Sequence, residues 1–131
     1  LMTPAPAELG AFLVNYQKVW NVLRGLDLPE EAARDLERGR EAFQRGLNPA
    51  GVARQMAAIF ASGNRKAGLA AIKAPTLVIH GDIDPLVPVQ GGIDTAEAIP
   101  GARLVRIARM GHALPVAVWP EVIDAIAAHT R

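Results

Sequence analysis

The chain has 131 residues, 50% of them hydrophobic and 21% charged, which fits one globular domain with a modest core. Its formal net charge of +1 gives no argument for nucleic acid or an acidic partner, so no nucleic acid is expected, and with no cysteine it has neither disulfides nor thiol chemistry. No apolar run nears the roughly 20 residues of a membrane span, so no membrane contact is expected.

Taken in order, Leu1-Met2-Thr3-Pro4-Ala5-Pro6 lacks the charged and long apolar regions of a signal peptide. The lack of cysteine leaves the redox compartment open; the expected location is cytoplasmic, and the missing initial methionine reads as a processed or truncated chain. A first helix is predicted over 8–24, with Leu9, Phe12, Tyr16, Trp20 and Leu23 at helical spacing and Gly25 as the stop. Pro29 suits the first turn of a second helix reaching about Arg45, with Glu30 and Glu31 near its positive end. Its apolar stripe is thin: Ala32, Ala33, Leu36 and Phe43. Arg34, Arg38, Arg40 and Arg45 alternate there with Asp35, Glu37 and Glu41, the pattern of a solvated face rather than a binding patch.

Asn48-Pro49 predicts a third helix start, with Val52, Met56, Ile59 and Phe60 as its buried face and Gly63 as its end. A short helix over about 65–71 follows. Then comes A-P-T-L-V-I-H-G-D-I-D-P-L-V-P, residues 74–88. Thr76 to Ile79 are apolar or β-branched on successive positions, as in a strand buried on both faces of a parallel sheet. Asp82 and Asp84 lie just past its carboxyl end, where open α/β sheets place their chemistry. A helix over about 92–99 is predicted to cross to a second strand over 103–108, followed by the turn Met110-Gly111-His112-Ala113-Leu114-Pro115. Pro120 opens a last helix with the stripe Trp119, Val122, Ile123, Ile126 and Ala127.

H-G-D-I-D-P-L-V-P followed by R-M-G-H-A-L-P resembles the last two active-site loops of the α/β-hydrolase fold, whose triad runs nucleophile, acid, histidine along the chain. The resemblance implies an α/β fold read as a C-terminal half. Residues 1–71 are the lid helices and following helix. Residues 72–131 are β-α-β-α with two parallel strands. It also implies that Asp84, three residues past Gly81, is the triad acid and that His112 is the base. Asp82 is the alternative acid, with hydrogen bonds to loop amides its expected role. Where relatives often have Gly-Met-Gly-His this chain has Arg109-Met110-Gly111-His112, and Arg109 is expected to point to solvent.

Other readings carry less. His80-x-Asp82-x-Asp84 has the look of a metal cluster, but Gly81 ends the strand before the aspartates share a face. His80 is expected to support the acid loop instead, and His129 to sit favourably at the last helix end. Tyr16, Trp20 and Phe60 read as core aromatics or as a pocket lining. The nucleophile elbow G-x-S-x-G is missing: no two of the 12 glycines are four apart, and the single serine, Ser62, lies at a helix end. The expected function is therefore the C-terminal fragment of a serine-type hydrolase, a carboxylic esterase in the style of bacterial secondary metabolism, inactive alone and needing no cofactor or metal. The alternatives are a non-catalytic binding module and one half of a split enzyme. The expected partners are an ester-like small molecule, the missing N-terminal half, and a second copy joined through the open edge of strand 76–80.

Overall fold

A computed structural model describes residues 5–25 and 29–131, with the backbone alone for Pro29 and Glu30. Residues 1–4 of the leader reading, and the side chain of Glu30 at the second helix start, lie outside the described residues. The elements are α1 (Leu9–Arg24), α2 (Pro29–Gln44), α3 (Pro49–Ser62), α4 (Lys66–Leu69), β1 (Leu77–Gly81), α5 (Val89–Ala98), β2 (Arg103–Ile107), a 3-10 turn (Val116–Val118) and α6 (Trp119–His129). The described residues divide into two compact units, 5–21 with 29–64 and 22–25 with 65–131.

The first unit is helical. Glu8 caps α1 by accepting from the amides of Gly10 and Ala11, both at 2.8 Å. Phe12 is buried, with the rings of Tyr16 and Phe43 at 5.6 and 5.2 Å, so the predicted face of α1 packs as aromatic core. Gly39 lets α2 approach: a Cβ there would stand 2.9 Å from the Leu13 side chain. The charged face of α2 is not uniformly solvated, because Glu31 and Asp35 are only 2% exposed and Asp35 faces Arg38 at 3.7 Å. Asn48 caps α3 through Gly51 N–H at 2.8 Å, as its position before Pro49 predicts. The face expected to be buried on α3 is not. Val52, Ile59 and Phe60 are exposed, Phe60 at 74%. Helical spacing fixes which residues share a face but not whether another element covers it.

The second unit carries the sheet. β1 and β2 are parallel, in register from Leu77 opposite Arg103 to Gly81 opposite Ile107, with α5 as the connection. Ile107, Met110, Val118 and Val122 form the core, with Ile79 and Val105 packed on it. Three expectations are corrected here. Leu77 to His80 are half-buried rather than buried on both faces, because a two-stranded sheet backed by α5 and α6 leaves part of each face uncovered. In α6 only Val122 of the predicted stripe is buried, while Ile123 and Ile126 are exposed, since the helix joins the core through Val122 beside Val118 of the preceding 3-10 turn. And α5 begins at Val89, earlier than Gly92. Gly92 lies inside the helix despite its poor propensity because His80 packs against it, where a Cβ would come within 2.7 Å of the imidazole.

Candidate active site

The site is two loops, one after each strand. β1 ends at Gly81, whose missing side chain leaves room for the Met110 carbonyl. Asp82 N–H donates to Ile107 O at 3.1 Å and Ile83 N–H to Met110 O at 3.2 Å, so the loops are tied backbone to backbone. Asp84 then closes its own turn: Oδ1 accepts from the amides of Leu86 and Val87 at 2.8 and 2.9 Å. Its other oxygen, Oδ2, lies 2.9 Å from Nδ1 of His112. The Asp84 side chain is 5% exposed and that of His112 41%. Burial pushes the Asp84 carboxyl up. The Val87 amide, the His112 ring and the Leu86 amide outweigh it and hold the carboxyl below its ordinary value near 3.8.

The histidine loop is anchored from a place the sequence did not advertise. The amide of Gly111 donates to Arg24 O at 3.0 Å, and those of His112 and Ala113 to Leu23 O at 2.6 and 2.9 Å. These are carbonyls at the end of α1 that the helix itself leaves unpaired. Gly111 must be glycine, because a Cβ would run into the Leu23 carbonyl and stand 2.7 Å from the Arg24 carbonyl carbon. Gly25, at φ +80, packs on the Gly111 amide and lets the chain leave the helix there. Arg109 is exposed, as expected, and has φ 64, in the left-handed region that glycine would occupy without strain.

One role is corrected. Asp82 does not bind loop amides; its Oδ1 accepts from Arg106 Nε at 2.7 Å, across the ends of the two strands. The amide-binding carboxylate is Asp84. Arg106 was missed because its partner is remote in sequence, although its place one residue before the end of β2 sets it beside the acid loop. His80 Nε2 lies 2.9 Å from Val87 O and 3.8 Å from Asp84 Oδ2. His129 lies in the last turn of α6. Ser62 donates its hydroxyl to Ala58 O at 2.8 Å within α3. Among the described residues no group of three or more His, Asp or Glu is arranged to hold a metal, and no helix is long and apolar enough to cross a membrane.

Chemically, a neutral His112 with its proton on Nδ1 presents Nε2 as a base, and Asp84 holds that tautomer and favours the imidazolium once formed. A family model described as alpha/beta hydrolase fold matches residues 9–116. The rhodomycin D methylesterase DnrP of Streptomyces peucetius is 36% identical over 134 aligned residues, covering 99% of this chain and 44% of that protein. DauP of Streptomyces sp. (strain C5), a rhodomycin D methylesterase too, is 48% identical over 68 residues, 52% of this chain and 23% of its own. The chain thus spans less than half the length of these curated relatives. In fold it is similar to the 2-hydroxy-6-oxo-6-phenylhexa-2,4-dienoate hydrolase BphD of Rhodococcus sp. strain RHA1, with TM-score 0.71 at 19% identity, covering 98% of this chain and 50% of that one.

Proposed function

The chain belongs to the α/β-hydrolase fold family, and on that premise we propose that it is the C-terminal part of a serine-type carboxylic-ester hydrolase. Residues 1–71 form the lid and following helix, and 72–131 the end of the core. Asp84 is the triad acid and His112 the base. The nucleophile and the oxyanion donors come from the upstream half. The observation that carries this reading is the 2.9 Å hydrogen bond between Asp84 Oδ2 and His112 Nδ1, on loops that follow adjacent parallel strands.

In the reaction His112 Nε2 takes the proton of the nucleophile's hydroxyl as it attacks the ester carbonyl, then returns it to the departing alcohol. Asp84 stays ionised throughout, as its lowered pKa favours. Both curated relatives are called methylesterases, which supports a carboxylic methyl ester as the substrate class. No cofactor takes part in these steps.

The test compares the chain alone with the chain joined to its upstream half, using an activated aryl ester. Alone it should hydrolyse no faster than buffer. In the joined enzyme Asp84→Asn and His112→Ala should each lower turnover by about 10²–10⁴, and Asp82→Asn, which loses only the Arg106 contact, should stay within a few-fold. A rate from the chain alone that vanishes in His112→Ala would mean that a nucleophile lies within these residues. Equal damage from Asp82→Asn would move the acid to that position.

A further inference from the structure

We infer that His80 is a positioning residue for the acid turn: its ring holds the Val87 carbonyl and thereby keeps Asp84 Oδ2 within reach of His112. The inference rests on the reading of Asp84 and His112 as acid and base.

His80 stands on β1, one residue before the strand ends, with its side chain 14% exposed. A strand holds a side chain more firmly than a loop does. Its Nε2 lies 2.9 Å from Val87 O. A carbonyl can only accept, so Nε2 carries the proton whether the ring is neutral or charged. The ring is held from the other side by α5, where Gly92 leaves it room and a Cβ would stand 2.7 Å from Nδ1. Val87 is therefore held through both of its backbone polar groups: its N–H by Asp84 Oδ1 and its C=O by His80 Nε2. The start of the turn is tied by Asp84 N–H to Gly81 O at 3.4 Å and by Ile83 N–H to Met110 O, but without His80 its Leu86–Val87 end keeps only the bonds from those two amides to Asp84 Oδ1.

The charged group facing His80 is Asp84, at 3.8 Å from Nε2. Arg106, its register partner on β2, turns its Nε to Asp82. At 3.8 Å the His80 ring is beyond hydrogen-bond reach of Asp84 Oδ2, the oxygen that His112 holds at 2.9 Å. Its contact with the turn is the Val87 carbonyl, a hydrogen bond that an amide side chain can also make.

The readout is the tautomer of neutral His112 in the 131-residue chain, taken from imidazole nitrogen shifts in isotope-labelled protein. Three histidines are present, and single substitutions assign them. In the unsubstituted chain His112 should carry its proton on Nδ1. His80→Ala should lower that population about threefold or more, the change that one net hydrogen bond supports. His80→Gln, which can donate to Val87 O, should restore it. Asp84→Ala should abolish it. An unchanged tautomer in His80→Ala would overturn the inference while leaving the Asp84–His112 reading intact. An unchanged tautomer in Asp84→Ala would overturn that reading instead. Failure of His80→Gln to restore the population would also overturn the inference, as would loss of the Ile107–Val122 core resonances in both His80 variants. The first would show ring packing rather than a hydrogen bond at work, and the second a residue needed for folding.

Discussion

Gly111→Ala is the sharpest test of how the His112 loop is held. The added methyl would run into the Leu23 carbonyl and stand 2.7 and 2.8 Å from the carbonyl carbon and oxygen of Arg24, where an ordinary contact needs 3.4 Å or more. All of these are backbone atoms, so no side chain can swing aside. The helix end and the loop must separate by the better part of an ångström. That motion threatens three hydrogen bonds together, from Gly111, His112 and Ala113 to the carbonyls of Arg24 and Leu23. At about 0.5–1.5 kcal/mol each, the loss of all three comes to roughly 1.5–4.5 kcal/mol, a large share of a small domain's stability. His112 would be carried away from Asp84 as well. Chemical denaturation should show the lower midpoint, with Gly68→Ala as control. Apart from its chain neighbours and its own helix backbone, no atom of the described residues lies within 4 Å of the Gly68 Cβ position, and α4 should gain from alanine. A Gly111→Ala midpoint equal to the unsubstituted one would refute the anchoring of the histidine loop on α1.

Further outcomes follow from single features of the site. Asp84 titrates below its ordinary value, so its contribution to stability is full above about 3.8 and is lost as pH falls through the lower folded value. Asp84→Asn should flatten that acid limb in pH-dependent unfolding, and an unchanged limb would assign the acid sensitivity to other carboxyls. Arg109→Gly removes a left-handed non-glycine residue and should raise stability by up to about 1 kcal/mol, the strain of 1–2 kcal/mol less the backbone entropy of glycine. A loss of stability would mean that the Arg109 side chain makes contacts of its own. Among the described residues β1 has a single strand neighbour, so its other edge offers unpaired backbone groups. Sedimentation of the chain alone at low micromolar concentration should show a dimer or larger species, and a persistent monomer would show that the edge is covered.

What the sequence determined by itself is what local interactions decide. Consecutive β-branched and apolar residues mark the first strand, and the short run Leu104-Val105 with Ile107 marks the second. Asn48-Pro49 and Gly63 set the ends of α3 because caps act within one turn. Asp84 and His112 are legible because each sits a fixed few residues past a strand, and the parallel pairing of those strands does the rest. Only tertiary structure decided which helix faces are covered. Phe60 and Ile123 carry correct helical spacing yet stand in the open, since periodicity says nothing about what lies opposite. It also decided the partners of Asp82 and of the His112 loop. Arg106 and the carbonyls of Leu23 and Arg24 are remote in sequence, and no local pattern marks a residue for a contact that exists only after the chain has folded back on itself.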